Sequence, residues 1–208
     1  YFDFNDDTAA REKYKYGAQY GRLNFDGTSR WIASSGSADV SHAVYTDPGV
    51  VKIKVPNWDA SKSTVVKLSP YAAGTAPLAY NPKYAEVMQV RFRINNMSAT
   101  TGANPYIRLW YTKTEDGTAV TTYDRPYKLG TNFVSDGKYM TATVYMYTQE
   151  DIDAGASTSG FPTTTFANAG TISDIALEFH NLVSNTEGTT GEIVVDYIYI
   201  GPKKLMPD

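Results

Sequence analysis

With 208 residues, 42% of them hydrophobic and 13% aromatic, the chain is long enough to bury one large core. A net charge of −3 excludes a general field for nucleic acid or an anionic membrane surface. The lack of any cysteine excludes a disulfide framework, a thiolate nucleophile and cysteine-ligated metal. No run approaches the roughly 20 apolar residues of a membrane span, so membrane insertion is not expected.

Seventeen tyrosines, sixteen glycines and no long helical period predict an all-β chain. In chain order, apolar alternation bounded by turn residues predicts strands over Tyr1–Asn5, Tyr20–Phe25, Trp31–Ala33, Ala43–Tyr45, Val50–Val55 and Val65–Leu68. Further strands are predicted over Ala85–Ile94, Tyr106–Thr112, Tyr139–Tyr147, Ile175–Phe179 and Ile193–Ile200. Helical turns are expected through "TAAREKY" and "QEDIDAG", both too short to shape the architecture. The first residues, "YFDFNDD", read as a strand start rather than a signal peptide. "GPKKLMPD" loses periodicity and gains two prolines, as a linker does. The expectation is one β-sandwich domain over residues 1–201 and a linker over 202–208, cut from a larger protein with neighbouring domains.

Parity sorts the best strands, because successive side chains point to opposite faces. Met88, Val90, Phe92 and Ile94 form one set, and Gln89, Arg91 and Arg93 the other. Ile107, Leu109 and Tyr111 alternate with Tyr106, Arg108, Trp110 and Thr112. Met140, Ala142, Val144 and Met146 alternate with Tyr139, Thr141, Thr143, Tyr145 and Tyr147. Ile175, Leu177 and Phe179 alternate with Ala176, Glu178 and His180. The apolar sets are the expected core. If these strands share one sheet, its other face gathers Gln89, Arg91, Arg93, Arg108, Trp110, Tyr145, Tyr147, Glu178 and His180. Such a face suits sugars, whose apolar ring stacks on Trp or Tyr while their hydroxyls seek planar donors and acceptors. The same residue types also furnish an ordinary solvated sheet face, through cross-strand Tyr–Arg and Arg–Glu pairs. Trp110 tips the reading toward a ligand, because an exposed tryptophan on a sheet calls for a cover. Trp58 sits on a turn in "VPNWDA", where it would serve as a loop platform, and Trp31 reads as a packing residue.

The succession "LWYTKTEDG", "VSDGKYMTATVYM" and "TISDIALEFHNLVSNTEGTTGEIVVDYIYIGP" resembles the C-terminal half of β-jelly-roll, galactose-binding-like carbohydrate-binding modules of secreted bacterial polysaccharide-degrading and cell-surface proteins. The resemblance covers residues 85–201. It implies an all-β jelly-roll sandwich, a non-catalytic role, an extracellular or cell-surface setting, and a polysaccharide or oligosaccharide held on the concave sheet. It also implies a structural calcium between the first and last strands, with Asp196 matching the last-strand aspartate, Asp3 as its partner and Glu192 as a more distant choice. Asp196 serves equally well as a loop or turn cap.

A polysaccharide lyase is the competing reading. It needs an arginine to neutralise a uronate and a Tyr or His to take the proton, a set that Arg91, Arg108, Tyr145 and His180 would supply. A glycosidase is disfavoured, since it needs two carboxyl groups and the predicted face carries Glu178 alone. Two histidines, His42 and His180, leave little room for a triad or a three-histidine zinc site. A third class is an adhesin gripping protein through the tyrosine-rich stretches "AYNPKY" and "TYDRPYKLG".

Overall fold

The computed structural model describes residues 2–3, 32–35, 43–47, 50–55, 65–69, 85–115, 117–123, 126–146, 172–185, 187 and 189–207. Its strands are β1 (Phe2–Asp3), β2 (Ile32–Ser35), β3 (Ala43–Asp47), β4 (Val50–Val55), β5 (Val65–Ser69), β6 (Val87–Asn95) and β7 (Met97–Ala99). They continue with β8 (Tyr106–Glu115), β9 (Thr118–Tyr123), β10 (Tyr127–Lys128), β11 (Met140–Tyr145), β12 (Ile172–His180), β13 (Leu182–Ser184) and β14 (Gly191–Gly201). The strand predicted over Tyr20–Phe25, both helical turns, Trp31, Trp58, His42, Tyr147 and "AYNPKY" lie outside the described residues.

Among the described residues, one antiparallel sheet runs β11-β6-β14-β4-β3, with β1 also on β14, and a second runs β10-β8-β12-β5-β2, with β9 also on β8. From β4 onward the chain alternates between them: β4 to β5, then β6, then β8 to β10, then β11, β12 and β14. This repeated crossing is the jelly-roll form of the β-sandwich. The parity reading of the core holds, with Met88, Val90, Phe92 and Ile94 facing Ile107, Leu109, Tyr111, Leu177 and Phe179, all essentially inaccessible. Phe92 of one sheet meets Phe179 of the other edge to face at a centroid distance of 5.8 Å.

Lys113 continues the inward parity of β8 and is 1% exposed, a buried lysine that the alternation pattern alone would have assigned to an apolar residue. β14 carries an irregularity at Asp196, between Val195 opposite Phe92 and Tyr197 opposite Arg91. The extra residue changes the parity of the strand. Ile193 and Val195 point inward before it, and Ile198 and Ile200 after it, while Tyr197 and Tyr199 join a separate outer cluster with Val87.

The pairing of β7 with β13 was not anticipated. Both strands follow an asparagine in the left-handed region, Asn96 at φ 53° and Asn181 at φ 60°, which ends β6 and β12 and redirects the chain. Met97 and Leu182 close that end of the core. Beside them, Ser184 Oγ donates to the Val55 carbonyl at 2.5 Å and accepts from the Gly191 amide at 2.7 Å. A Cβ on Gly191 would lie 2.4 Å from Met97 Cγ and 3.0 Å from Ser184 Oγ. Gly191→Ala is therefore expected to cost about 1–3 kcal/mol by overpacking, measurable by urea unfolding.

The segment expected as a linker packs on the domain. Lys203–Leu205 form a 3-10 turn, Leu205 and Met206 pack against Val87, Tyr197 and Tyr199, and the Lys203 amide donates to Glu86 at 2.8 Å.

Candidate functional site

The expectation of a single polar face is corrected by the topology. Gln89, Arg91, Arg93 and Tyr145 stand on β6 and β11, whereas Arg108, Trp110, Glu178 and His180 stand on β8 and β12 of the other sheet. Each set does point away from the core, but the two sheets pack face to face. The sets therefore occupy opposite outer surfaces of the sandwich. Parity reports which side of its own sheet a residue takes, not which sheet it belongs to.

On the β8/β12 surface the register places Tyr106 beside His180, Arg108 beside Glu178 and Trp110 beside Ala176. Arg108 Nε donates to Glu178 Oε2 at 2.6 Å, and His180 Nε2 lies 2.8 Å from the same oxygen. Tyr106 stacks flat on the His180 ring, with centroids 4.4 Å apart and planes 13° from parallel. Arg108 also leans over Tyr106 at 5.7 Å. Glu178 and His180 are buried, Arg108 is mostly so, and Trp110 is half-buried. Burial is the largest single influence on Glu178 and pushes its pKa up. The hydrogen bonds from His180 and Arg108, together with their charges, outweigh it and hold the carboxyl below its ordinary value. Both bonds fall on Oε2, and among the described residues Oε1 accepts none. Tyr106 was not among the expected site residues, although it shares the parity of Arg108 and Trp110 and that signal was sufficient to include it.

On the opposite surface, Arg91 is ion-paired with Asp196 and lies over the Tyr139 ring at 4.3 Å. Arg93 approaches the same ring at 5.3 Å. Gln89 is buried, donating to Thr143 Oγ1 at 3.4 Å and accepting from the Tyr197 hydroxyl at 2.7 Å. Tyr145 is 53% exposed, with Lys203 Nζ 5.3 Å from its ring. Tyr139 is set in place by the "DGK" turn, where Gly137 takes φ 73° and the Lys138 amide donates to Asp136 Oδ1 at 3.0 Å. That bond is the chief reason the Asp136 carboxyl sits below its ordinary pKa.

The residues expected to hold calcium are brought into adjacent strands, since Asp3 of β1 pairs with Tyr197 next to Asp196. The Asp196 carboxylate, however, is taken by Arg91, a cation in its own right. Among the described residues no group of three or more His, Asp or Glu is placed to hold a metal ion.

No family model matches the chain. No curated protein matches it either. Among solved structures, the chain is similar to a CBM4 module at 11% identity and a TM-score of 0.41, covering 84% of this chain and 96% of that one. It is also similar to CBM28, described as a carbohydrate-binding module specific for non-crystalline cellulose, at 10% identity and a TM-score of 0.47, covering 88% and 96%. A third is an agarase, at 10% identity and a TM-score of 0.48, covering 98% of this chain but 26% of the agarase. None of these three reaches a TM-score of 0.5, and the sandwich assignment rests on the sheets of the chain itself.

Proposed function

We propose that the chain is a non-catalytic carbohydrate-binding module of a secreted or cell-surface protein, and that a polysaccharide lies along the outer surface of β8 and β12. The observation that carries this reading is the register itself. One row of β8 presents Tyr106, Arg108 and Trp110, and the facing row of β12 presents His180, Glu178 and Ala176. Trp110 stands in register between the small Ala176 of β12 and Tyr123 of β9, and an indole in such a row is suited to the apolar side of a pyranose. Glu178 Oε1 supplies an acceptor for a hydroxyl, held in place by the two donors on Oε2. An aromatic platform beside a pre-oriented polar network limits the ordering cost of binding.

The four residues weighed for a lyase are divided, with Arg91 and Tyr145 on one surface and Arg108 and His180 on the other. No single uronate can meet all four. His180, moreover, is stacked under Tyr106 and bonded to Glu178, an arrangement that fixes it as a structural partner rather than a base open to substrate.

Affinity electrophoresis through gels containing xylan, β-glucan or starch tests the proposal. Wild-type protein is expected to be retarded by at least one of them. Trp110→Ala is expected to lose retardation by a factor of about 30, corresponding to about 2 kcal/mol for a stacking hot spot. Unchanged retardation of a folded Trp110→Ala protein would sink the assignment of this surface.

A further inference from the structure

The surface that the topology removed from the site above has a chemistry of its own. Arg91 and Arg93 project from the same side of β6, and both approach the Tyr139 ring, at 4.3 and 5.3 Å. Their circumstances differ. Arg91 is charge-paired with Asp196, whereas Arg93 has no carboxylate partner among the described residues, and its buried Nε donates to no acceptor there. Glu192, which pairs with Asn95 two residues along from Arg93, is engaged by Asn95 Nδ2 at 2.9 Å. In register with Arg93 stands Val194 of β14, fully buried, and beyond it Lys52 of β4, a second basic residue in the same row.

A guanidinium with no carboxylate partner and a buried donor lacking an acceptor among the described residues is an incomplete arrangement. Buried polar groups are ordinarily satisfied, and an orphaned one marks a place where a partner is missing. A planar fork of donors is matched by a carboxylate or a sulfate. Tyr139 lies against both guanidinium groups, 37% exposed and placed directly after the "DGK" turn rather than within β11.

We infer that Arg93, with Arg91 and Tyr139, forms a second and independent binding site for an anionic substituent, a sulfate or carboxylate carried on an acidic glycan. Rotation of Tyr139 off the arginine pair opens the Arg93 fork to the anion, and the ring then flanks the sugar that carries it. Tyr145, exposed further along β11, extends the aromatic edge in the direction a polymer would follow. That the carrier is a glycan rests on the proposed function; the anion site does not.

The experiment compares retention of the full chain on dextran sulfate, polygalacturonate and unmodified dextran at about 20 mM salt, where surface charge is little screened. Wild type is expected to bind the two polyanions and not dextran, with binding falling steeply when salt is raised. Arg93→Met, which keeps the apolar stem and removes the orphaned donor, is expected to lose polyanion binding at least fivefold while its thermal midpoint holds or rises. Tyr139→Leu, at an exposed position that does not threaten folding, is expected to weaken polyanion binding too, and Trp110→Ala is expected to leave it intact. Wild-type retention by Arg93→Met, or an equal loss in Trp110→Ala, would overturn the inference, as would failure of wild type to bind either polyanion. Inorganic sulfate that competes at millimolar concentration identifies the anion as the recognised group; polymer binding that sulfate cannot displace at any concentration counts against an anion site. Should neutral polysaccharides fail to bind while Arg93-dependent polyanion binding persists, the proposed function falls and this site stands.

Discussion

Phe92→Ala is expected to destabilise the domain by about 3–5 kcal/mol, seen as a lower midpoint in urea with little change in slope. Phe92 is fully buried, lies on the central strand pair β6 and β14, and meets Phe179 across the sandwich at 5.8 Å. Truncation removes an edge-to-face aromatic contact between the sheets and leaves a cavity in the core. A conservative Phe92→Leu change retains most of the apolar volume and is expected to cost less than half as much. Equal losses for the two variants would mean that the sheets collapse readily around this position, against the tight packing described here.

Glu178→Ala is expected to be the costliest polar substitution, at about 3 kcal/mol, because it removes the carboxylate shared by the Arg108 guanidinium and the His180 imidazole where both are largely buried. The same carboxyl gives the domain an acid sensitivity with a definite sign. Its folded pKa lies below the unfolded value, so the folded state binds the proton less readily than the unfolded chain does. The stability it contributes is complete above the unfolded carboxyl pKa and is lost as pH falls through the folded value. Glu178→Gln should therefore flatten the acid limb of the stability profile relative to wild type, a comparison made by urea titrations between pH 3 and pH 6, values chosen to span the ordinary carboxyl range of about 4. Parallel profiles for the two proteins would show that the pair contributes nothing to acid unfolding.

Much of the fold was legible because β-strand parity is a local property. The alternation in "EVMQVRFRI", "YIRLWYT" and "IALEFH" assigned every inward residue of those stretches correctly. Sheet membership is not local. Nothing within Arg91 and Arg108 distinguishes their strands; the distinction arises from which partners each strand hydrogen-bonds, and those lie far along the chain. The site was thus legible residue by residue but not as an assembly. The buried state of Gln89 and Lys113 was hidden for a related reason, since polar side chains at strand positions are read as solvated unless their tertiary partners are known. The β7/β13 pair escaped notice because three-residue strands carry too short an alternation to register, and the asparagines that end β6 and β12 are conformational signals rather than hydropathic ones.

β14 is the last of the described strands and yet it sits inside its sheet, flanked by β6 and β4 and joined by β1, so that Ile198 pairs with Phe2 and Val195 with Phe92. β12, the last long strand before it, is likewise interior to the other sheet. During synthesis, the first sheet cannot be assembled until residues 191–201 have left the ribosome, nor the second until residues 172–180 have. Up to that moment β6 and β4 lack the neighbour that separates them, and β8 and β5 lack theirs. Contacts this distant in sequence make for slow closure, governed by the search for late strands rather than by local structure. Chains interrupted before residue 172 would carry two open pairs of strand edges at once, and their fate is self-association rather than a partial fold.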